Sequence, residues 1–231
     1  MLAERQPVNA DTRPAFEVRA FSIDAINVDR RQQEDQPDEL RISGHAAVFN
    51  HEANIAGVFR EVIRPGAFQR AIEERQDVAL LLNHDPSTVM ARVSNGTLHL
   101  SEDQIGLRFQ AVLDPNDSDA VRTVAKIERG NITQMSFAFV ATSEQWRHNE
   151  DPPLREIYET NVTDISPVTY PAYQQTDVHA RALARMNGVQ IPDPDALAGT
   201  PDSDPSLAAR HRQRSLNVRR RKNRITERKG V

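Results

Sequence analysis

Hydrophobic and polar residues alternate along several segments of the chain, and a period of two predicts β-strands. The segment 78–82 is apolar throughout, which predicts a strand buried on both faces. A polar stretch at 102–106 separates two alternating segments and is typical of a β-hairpin turn. The charged, glutamine-rich stretch 29–39 predicts an exposed loop. The predicted strands span 16–26, 41–50, 59–63, 78–82, 97–100, 107–113, 135–141 and 156–165.

Helical spacing of apolar residues occurs in fewer places. It predicts helices over 67–75 and 119–129, and a third, short helix over 178–186. The turn at 114–118 offers side chains that can cap the second helix, and Gly130 offers a stop for it. Helices are therefore a minority among the predicted elements.

The strand predicted at 135–141 is expected to lie in the interior, because neither of its faces is clearly polar. Antiparallel strands around such a central strand, together with the helices, predict a mainly β fold with helices (α+β). A small barrel or sandwich decorated by helices fits this pattern. The two faces carry Met135, Phe137, Phe139 and Ala141 on one side and Ser136, Ala138 and Val140 on the other.

The composition favours one folded domain with polar extensions, because only 38% of the 231 residues are hydrophobic. We expect a flexible N-terminus at 1–15, a folded domain at 16–187, and a proline-rich linker with a basic, disordered tail at 188–231. The absence of cysteine excludes disulfides, a cysteine nucleophile and thiolate metal sites. No apolar run has the length of a membrane span and the N-terminal residues lack the apolar core of a signal peptide, so we expect a soluble, intracellular protein.

Charge is divided unevenly along the chain. Residues 206–231 contain ten Lys/Arg and one acid, Glu227, whereas the whole chain has a net charge of −4. The tail therefore carries +9 and the remainder of the chain −13. An acidic body with a basic tail bears on which partners the protein binds rather than on its fold.

Ser136 interrupts the apolar central strand, and a buried hydroxyl needs either a hydrogen-bond partner or a chemical role. His84 follows the apolar run 78–82, and Asp164 lies in the last predicted strand. Serine needs an adjacent base, histidine suits that task near neutral pH, and a carboxylate can fix the tautomer of the ring. The pattern therefore indicates a His84–Ser136–Asp164 triad, whose chain order is admissible because triads occur in several orders.

Each of these residues also has a plain structural interpretation, because their spacings carry no specificity of their own. Ser136 can be a small residue between two phenylalanines, His84 a loop histidine, and Asp164 a surface or turn acid. Asp85 adjoins His84 and is a rival third member, although neighbouring residues of an extended chain point to opposite sides. The other rival acids are Glu159 and Asp177.

No metal or cofactor is expected. His45 and His51 are candidate metal ligands, but no cysteine or carboxylate pattern completes a site around them. The chain also has no glycine-rich phosphate loop. The candidate chemistry is therefore that of the side chains themselves.

A series of short motifs runs in order from Arg41 to Tyr173, which is more than half of the chain. The motifs occupy residues 43–49, 65–68, 82–85, 96–98, 106–107, 130–132, 135–137, 164–166 and 168–172. No single motif is decisive, but the ordered set is specific. In this set the chain resembles the head maturation (prohead) serine proteases of tailed bacteriophages.

The resemblance implies a mostly antiparallel β-barrel surrounded by helices, similar to the herpesvirus assemblin protease. It implies that His84 is the general base and Ser136 the nucleophile. The third position usually reads Glu-Val-Ser in this family, whereas this chain has Asp164-Ile165-Ser166. Aspartate is shorter by one methylene, so the geometry between the carboxylate and the ring must adjust.

The resemblance also implies a biological role. Such proteases act inside the immature phage capsid, in the host cell cytoplasm, where they cut scaffold or the scaffold-like arm of the major capsid protein, and often themselves. We therefore predict a serine endopeptidase of prohead maturation, with capsid protein and scaffold as partners. The likeness to assemblin suggests a homodimer, and no membrane partner is expected.

Two other classes of function stay open. A catalytically inactive capsid- or scaffold-associated structural protein would have the same fold and tail. A nucleic-acid-binding module is disfavoured for the acidic body and fits only the tail. The tail itself can be a solvated extension, a non-specific contact to nucleic acid or, as we favour, a segment that recruits the protease to an acidic scaffold and is then removed by self-cleavage.

Overall fold

The computed structural model describes residues 6–7, 16–22, 26–33, 36–170 and 182–189. Strands predominate in this part of the chain, with helices between some of them. The elements in chain order are β1 (Gln6–Pro7), β2 (Glu17–Ser22), β3 (Asn27–Gln33), β4 (Gln36–Val48), β5 (Ala53–Ile55), β6 (Phe59–Ile63), α1 (Gln69–Glu73), β7 (Ala79–Leu80), β8 (Ala91–Arg92), β9 (Leu98–Glu102), β10 (Gly106–Leu113), α2 (Ser118–Glu128), β11 (Gln134–Arg147) and β12 (Leu154–Val168).

The described strands form two sheets. The larger has eight strands in the order β1-β11-β12-β6-β5, with β2 also paired to β11, β7 paired to β12, and β8 paired to β7. The smaller has the order β3-β4-β10-β9. β12 runs parallel to β6 and β7, and the antiparallel pair of β11 and β12 forms the centre of the larger sheet.

Most of the predicted strands and helices are confirmed, with shifts of a few residues at their ends. β6 has the predicted bounds, and the hairpin of β9 and β10 turns at the predicted polar stretch. The carboxylate of Asp117 accepts a hydrogen bond from the N–H of Asp119 at 2.8 Å and caps α2. Gly130, with a φ of 72°, follows the end of this helix in the left-handed conformation that glycine adopts at little cost.

The exposed loop predicted at 29–39 is wrong, because most of this stretch is extended and paired. β3 pairs with β4 from Asn27 opposite Ser43 to Gln33 opposite Gln36. β3 is the outer strand of the smaller sheet, where charged residues can face water while the backbone pairs. Arg30, for example, is exposed and forms an ion pair with Glu128 of α2. In the sequence, the charged composition of β3 therefore resembles that of an exposed loop.

The prediction that the central strand is covered on both faces is confirmed for β11. Phe137 and Phe139 are fully buried, with their rings stacked 4.7 Å apart, and the ring of Phe68 meets Phe137 edge-on at 5.6 Å. Ser136 and Ala138, on the opposite face, are buried as well. The core cluster draws residues from β4, β10, β11 and β12, so it joins the two sheets. Burial of these rings is a major stabilising contribution.

The fold class is confirmed as mainly β with helices. The described strands form two sheets rather than one closed barrel, so the barrel stays a prediction. The predicted domain limits also stay predictions, since most of 1–15 and all of 190–231 lie outside the described residues. Of the helix predicted at 178–186, residues 182–186 are described and are helical.

No helix in the described part of the chain is both long enough and apolar enough to cross a membrane.

Candidate active site

His84, Ser136 and Asp164 lie together in one chain of hydrogen bonds. The Nε2 atom of His84 is 2.7 Å from Ser136 Oγ, and its Nδ1 atom is 2.5 Å from Asp164 Oδ1. Each ring nitrogen therefore faces a different partner, a hydroxyl on one side and a carboxylate on the other. This is the arrangement in which an imidazole can take a proton from an alcohol while an anion stabilises the charge that forms.

The pairing of β11 with β12 brings the serine and the aspartate onto one face of the sheet. Ser136 lies opposite Ser166, and Ala138 lies opposite Asp164. Directly opposed residues share a face, and residues two apart on a strand share it as well. Ser136, Asp164 and Ser166 are therefore neighbours on the same side of the two strands.

β7 delivers His84 to that face. Ala79 pairs in parallel with Asp164, and the chain after β7 continues along β12. The N–H of Leu81 donates to the carbonyl of Ile165 at 3.0 Å, and the N–H of Asn83 donates to that of Pro167 at 3.1 Å. His84 thus follows a short segment whose position is fixed by the strand that carries the aspartate.

The backbone turns sharply at the histidine. Asn83 and His84 have φ angles of 54° and 59°, in the left-handed region that residues other than glycine seldom adopt. Two hydrogen bonds hold this turn: the N–H of His84 donates to Ser166 Oγ at 3.1 Å, and the N–H of Thr169 donates to Asn83 Oδ1 at 2.9 Å. Strained backbone held by specific contacts is common where a side chain must be aimed.

Ser166 is a residue of the site that the sequence reasoning missed. Its hydroxyl accepts from the backbone N–H of His84 and donates to Asp164 Oδ1 at 3.0 Å, and the residue is fully buried. One hydroxyl therefore fixes both the backbone of the histidine and the carboxylate that faces its ring. The available signal was its position two residues after Asp164, which puts both side chains on one strand face.

The rival acids lie elsewhere. Asp85 accepts hydrogen bonds from the backbone and hydroxyl of Ser87 and therefore shapes the turn after His84. Glu159 accepts from Thr142 and pairs with Arg70. The third rival, Asp177, lies outside the described residues.

The candidate metal ligand His45 does not join this site. His45 Nε2 contacts Asp103 Oδ2 at 2.8 Å on the smaller sheet. Within the described residues, no group of three or more His, Cys, Asp or Glu side chains could hold a metal ion.

The nucleophile candidate is completely enclosed. Ser136 has a relative exposure of 0%, and β2 pairs with β11 directly beside it, with Ala20 opposite Ser136. The hydroxyl of Ser136 lies 2.9 Å from the backbone carbonyl oxygen of Arg19, which it can donate to. Sequence periodicity gave no sign of this contact, because it depends on which strand pairs with the outer edge of β11.

A cluster of buried charges fixes β2 in this place. Arg19 reaches both carboxylate oxygens of Glu61, at 2.6 and 2.8 Å, and Glu17 reaches the guanidinium of Arg155 with both of its oxygens. Arg155 also pairs with Glu61 and with Glu144 of β11. Breaking one buried pair by removing a partner typically costs about 3–5 kcal/mol, because the other charge is left uncompensated.

The charges in this cluster shift one another's pKa values. Burial alone would raise the pKa of Glu17, but the charges and hydrogen bonds of Arg155 and Arg19 outweigh it and hold that pKa below the ordinary value. Burial would lower the pKa of Arg155, whereas Glu17 and Glu61 raise it well above the usual range. Glu17 and Arg155 are therefore both charged near neutral pH.

We expect Ser166→Ala to lower kcat on a processed substrate by about tenfold to hundredfold while KM changes little. The reason is that Ser166 holds the histidine and the aspartate rather than the substrate. Steady-state kinetics check the split, and Ser166→Thr, which keeps the hydroxyl, should restore part of the loss. A folded Ser166→Ala protein with unchanged kcat would contradict the positioning role.

Comparisons with known proteins identify the family of the chain. The sequence model of the family described as Caudovirus prohead serine protease matches residues 26–189. The solved structure of the bacteriophage T4 capsid assembly protease is similar at 12% identity, over 69% of this chain and 100% of that chain, with a TM-score of 0.46. No curated protein sequence matches the chain. Because the family match covers more than half of its length, this chain belongs to the caudovirus prohead serine protease family.

Proposed function

We propose that the chain is a serine endopeptidase in which Ser136 is the nucleophile, His84 the general base and Asp164 the acid that orients and stabilises the imidazolium. The observation that carries this proposal is the continuous run of hydrogen bonds from Ser136 Oγ through the two nitrogens of His84 to Asp164 Oδ1. Membership of a serine protease family supports the same roles. Neither the serine nor the histidine is reactive alone at neutral pH to the degree that proteolysis needs.

The reaction is acyl transfer in two stages. In the first, Ser136 Oγ attacks the peptide carbonyl carbon, its proton passes to His84 Nε2, and the C–N bond breaks as the leaving amine takes that proton. In the second, His84 removes a proton from water as the water oxygen attacks the acyl carbon, the ester bond to Ser136 Oγ breaks, and His84 returns the proton to Oγ. Asp164 accepts from Nδ1–H throughout and offsets the positive charge of the ring while it is protonated.

The substrates that we propose are the scaffold or the scaffold-like arm of the major capsid protein, cut inside the immature capsid in the host cell. Membership of the prohead serine protease family and the resemblance in sequence support this proposal. Self-cleavage of the basic tail, a homodimer and a barrel like that of assemblin are further parts of this proposal. They rest on the resemblance in sequence.

A catalytically inactive structural protein is the second candidate, and the complete burial of Ser136 favours it. A fluorophosphonate probe separates the two, since it reacts only with a serine that is activated and reachable. We expect the wild-type protein to be labelled and Ser136→Ala to remain unlabelled. Absence of labelling in a folded wild-type protein that also leaves co-expressed capsid protein uncut would favour the inactive candidate.

A further inference from the structure

The burial of Ser136 means that a covering segment must move before any substrate can react. A serine and a peptide carbonyl carbon must approach to roughly 3 Å for attack, and no atom of Ser136 is now exposed. The two groups within hydrogen-bond distance of its Oγ are the ring of His84 and the carbonyl of Arg19. His84 is needed as the base, so β2, which carries Arg19, is the segment that must leave.

β2 is placed so that it can leave without dismantling the site. It pairs with the outer edge of β11 from Gln134 to Phe139, whereas β12 pairs with the opposite edge and carries Asp164. It also precedes residues 26–189, which the family model matches. The paired edges that hold His84, Ser136 and Asp164 together therefore do not include β2.

Departure of β2 exposes an unpaired strand edge beside the nucleophile. The backbone N–H and C=O groups of Gln134–Phe139 that now pair with β2 would then need new partners. An extended peptide supplies these partners by adding itself as a strand, which is a common way of binding peptides. Such a peptide would run past Ser136 in the place where Arg19 and Ala20 run now.

The buried charges indicate which side chains of a peptide can bind at this edge. Without β2, the cluster retains Glu61, Glu144 and Arg155, two negative charges against one positive. Glu61 loses its bidentate partner Arg19, and Arg155 loses its bidentate partner Glu17. A buried carboxylate without its partner strongly favours a new cation, and arginine matches it with two parallel hydrogen bonds.

We propose that the β11 edge under β2 is the substrate-binding edge of this protease, and that it takes an extended peptide with an arginine against Glu61 and an acidic residue two positions earlier against Arg155. This rests on the proposed proteolytic function and adds a specificity to it. β2 itself contains an arginine with an acidic residue two positions earlier, in Glu17-Val18-Arg19. It therefore competes with the substrate for the β11 edge. Its displacement is the step that admits a substrate.

The competition also has a direct effect on the nucleophile. The hydroxyl of Ser136 has one proton, and both His84 Nε2 and the Arg19 carbonyl oxygen are within reach of it. While the proton is donated to the carbonyl, it is not donated to the base. Removal of that carbonyl leaves His84 as the acceptor, so displacement of β2 both exposes the serine and directs its proton to the histidine.

The first test uses the full-length protein and a peptide with the sequence of residues 16–22, Phe-Glu-Val-Arg-Ala-Phe-Ser, between a fluorophore and a quencher. Matched peptides replace the arginine with citrulline, its uncharged analogue, or the glutamate with glutamine. We expect kcat/KM to fall by about tenfold to hundredfold for citrulline, since a charged hydrogen-bonded pair is lost in a buried place. Equal cleavage of the arginine and citrulline peptides would overturn the proposal.

The second test weakens the hold of β2 on the β11 edge. Arg19→Gln removes the ion pair with Glu61 and should raise kcat/KM for the arginine peptide by about tenfold, because a larger fraction of the protein has the edge free. Arg30→Gln, which removes the exposed ion pair with Glu128, is the matched control and should leave the rate unchanged. A folded Arg19→Gln protein with the wild-type rate would contradict the competition, and the peptide comparison stands even if that variant does not fold.

Unfolded casein, a substrate with no required motif, separates failure of the specificity from failure of the function. Ser136-dependent digestion of casein without cleavage of the arginine peptide would overturn the specificity and leave the protease intact. If casein digestion, peptide cleavage and fluorophosphonate labelling are all absent in the folded protein, the proposed function itself fails. Cleavage of the arginine peptide by wild type and not by Ser136→Ala supports both.

Discussion

Ser136→Ala is expected to abolish processing, lowering kcat/KM by about 10⁴-fold or more, because no other group replaces the attacking oxygen. Loss of the nucleophile in a triad removes the acyl-enzyme route altogether, so any residual cleavage comes from binding and electrostatic effects alone. The measurement is co-expression with the major capsid protein of the same phage, read by intact mass. A full-length capsid protein is expected with Ser136→Ala and a shortened one with wild type.

The control is Ser101→Ala, a serine on the exposed face of β9 that contacts none of the site residues. It should process the capsid protein at the wild-type rate. Ser136→Ala removes a buried hydroxyl with two hydrogen-bond contacts, which costs about 1 kcal/mol of stability, too little to unfold a domain. Processing at the normal rate by a folded Ser136→Ala protein would end the assignment of the nucleophile.

Ser136 and His84 could be predicted from the sequence because each of them breaks a local pattern. Ser136 is a polar residue inside an apolar strand, and His84 stands at the end of a short apolar run. A polar residue in an apolar segment needs a hydrogen-bond partner or a chemical role. Both residues lie where β7 and β11 pair with β12. Asp164 had rivals because a strand-edge acid breaks no pattern, and only the pairing of β11, β12 and β7 separates it from Asp85 and Glu159.

Contacts between distant strands could not be predicted in the same way. The charged residues of 29–39 are typical of a loop, yet β3 is an outer strand whose backbone pairs while charged side chains such as Arg30 are exposed. No local pattern indicates that the charged residues Arg155 and Glu61 are buried, yet both are buried and paired with Glu17 and Arg19 of β2. Which partner neutralises a charge is decided by tertiary pairing, and local periodicity contains no information about it.

The buried charges and the triad share the strand β12, and this links specificity to catalysis. Arg155 lies near the start of β12 and Asp164 near its end, while β11 carries Glu144 and Ser136 beside them. A peptide in the place of β2 would have its arginine next to the residue that lies opposite the nucleophile, and its acidic residue two positions farther along the β11 edge. Contacts outside the reacting bond can in this way position a substrate that the reacting groups alone would bind weakly.

Asp164→Asn is expected to lower kcat by about 10³- to 10⁴-fold, although asparagine has almost the same shape. The carboxylate now accepts from both Nδ1–H of His84 and the hydroxyl of Ser166, and its charge stabilises the imidazolium during attack. An amide either turns its NH₂ group to Nδ1, which forces the wrong tautomer, or offers its oxygen without the charge. Both cases leave Ser136 without an effective base, and steady-state kinetics on the processed substrate measure the loss.

Two substitutions make this test specific to the assigned acid. Asp164→Glu keeps the charge, and glutamate is the residue that this position usually carries in the resembling proteases, so we expect a loss of only about tenfold from the altered reach. Asp85→Asn changes the acid next to His84 in sequence, which contacts Ser87 instead, and should leave kcat within about twofold of wild type. If Asp85→Asn were the variant that lost activity while Asp164→Asn kept it, Asp85 would be the third member and the orientation of His84 in this structure would not be the catalytic one.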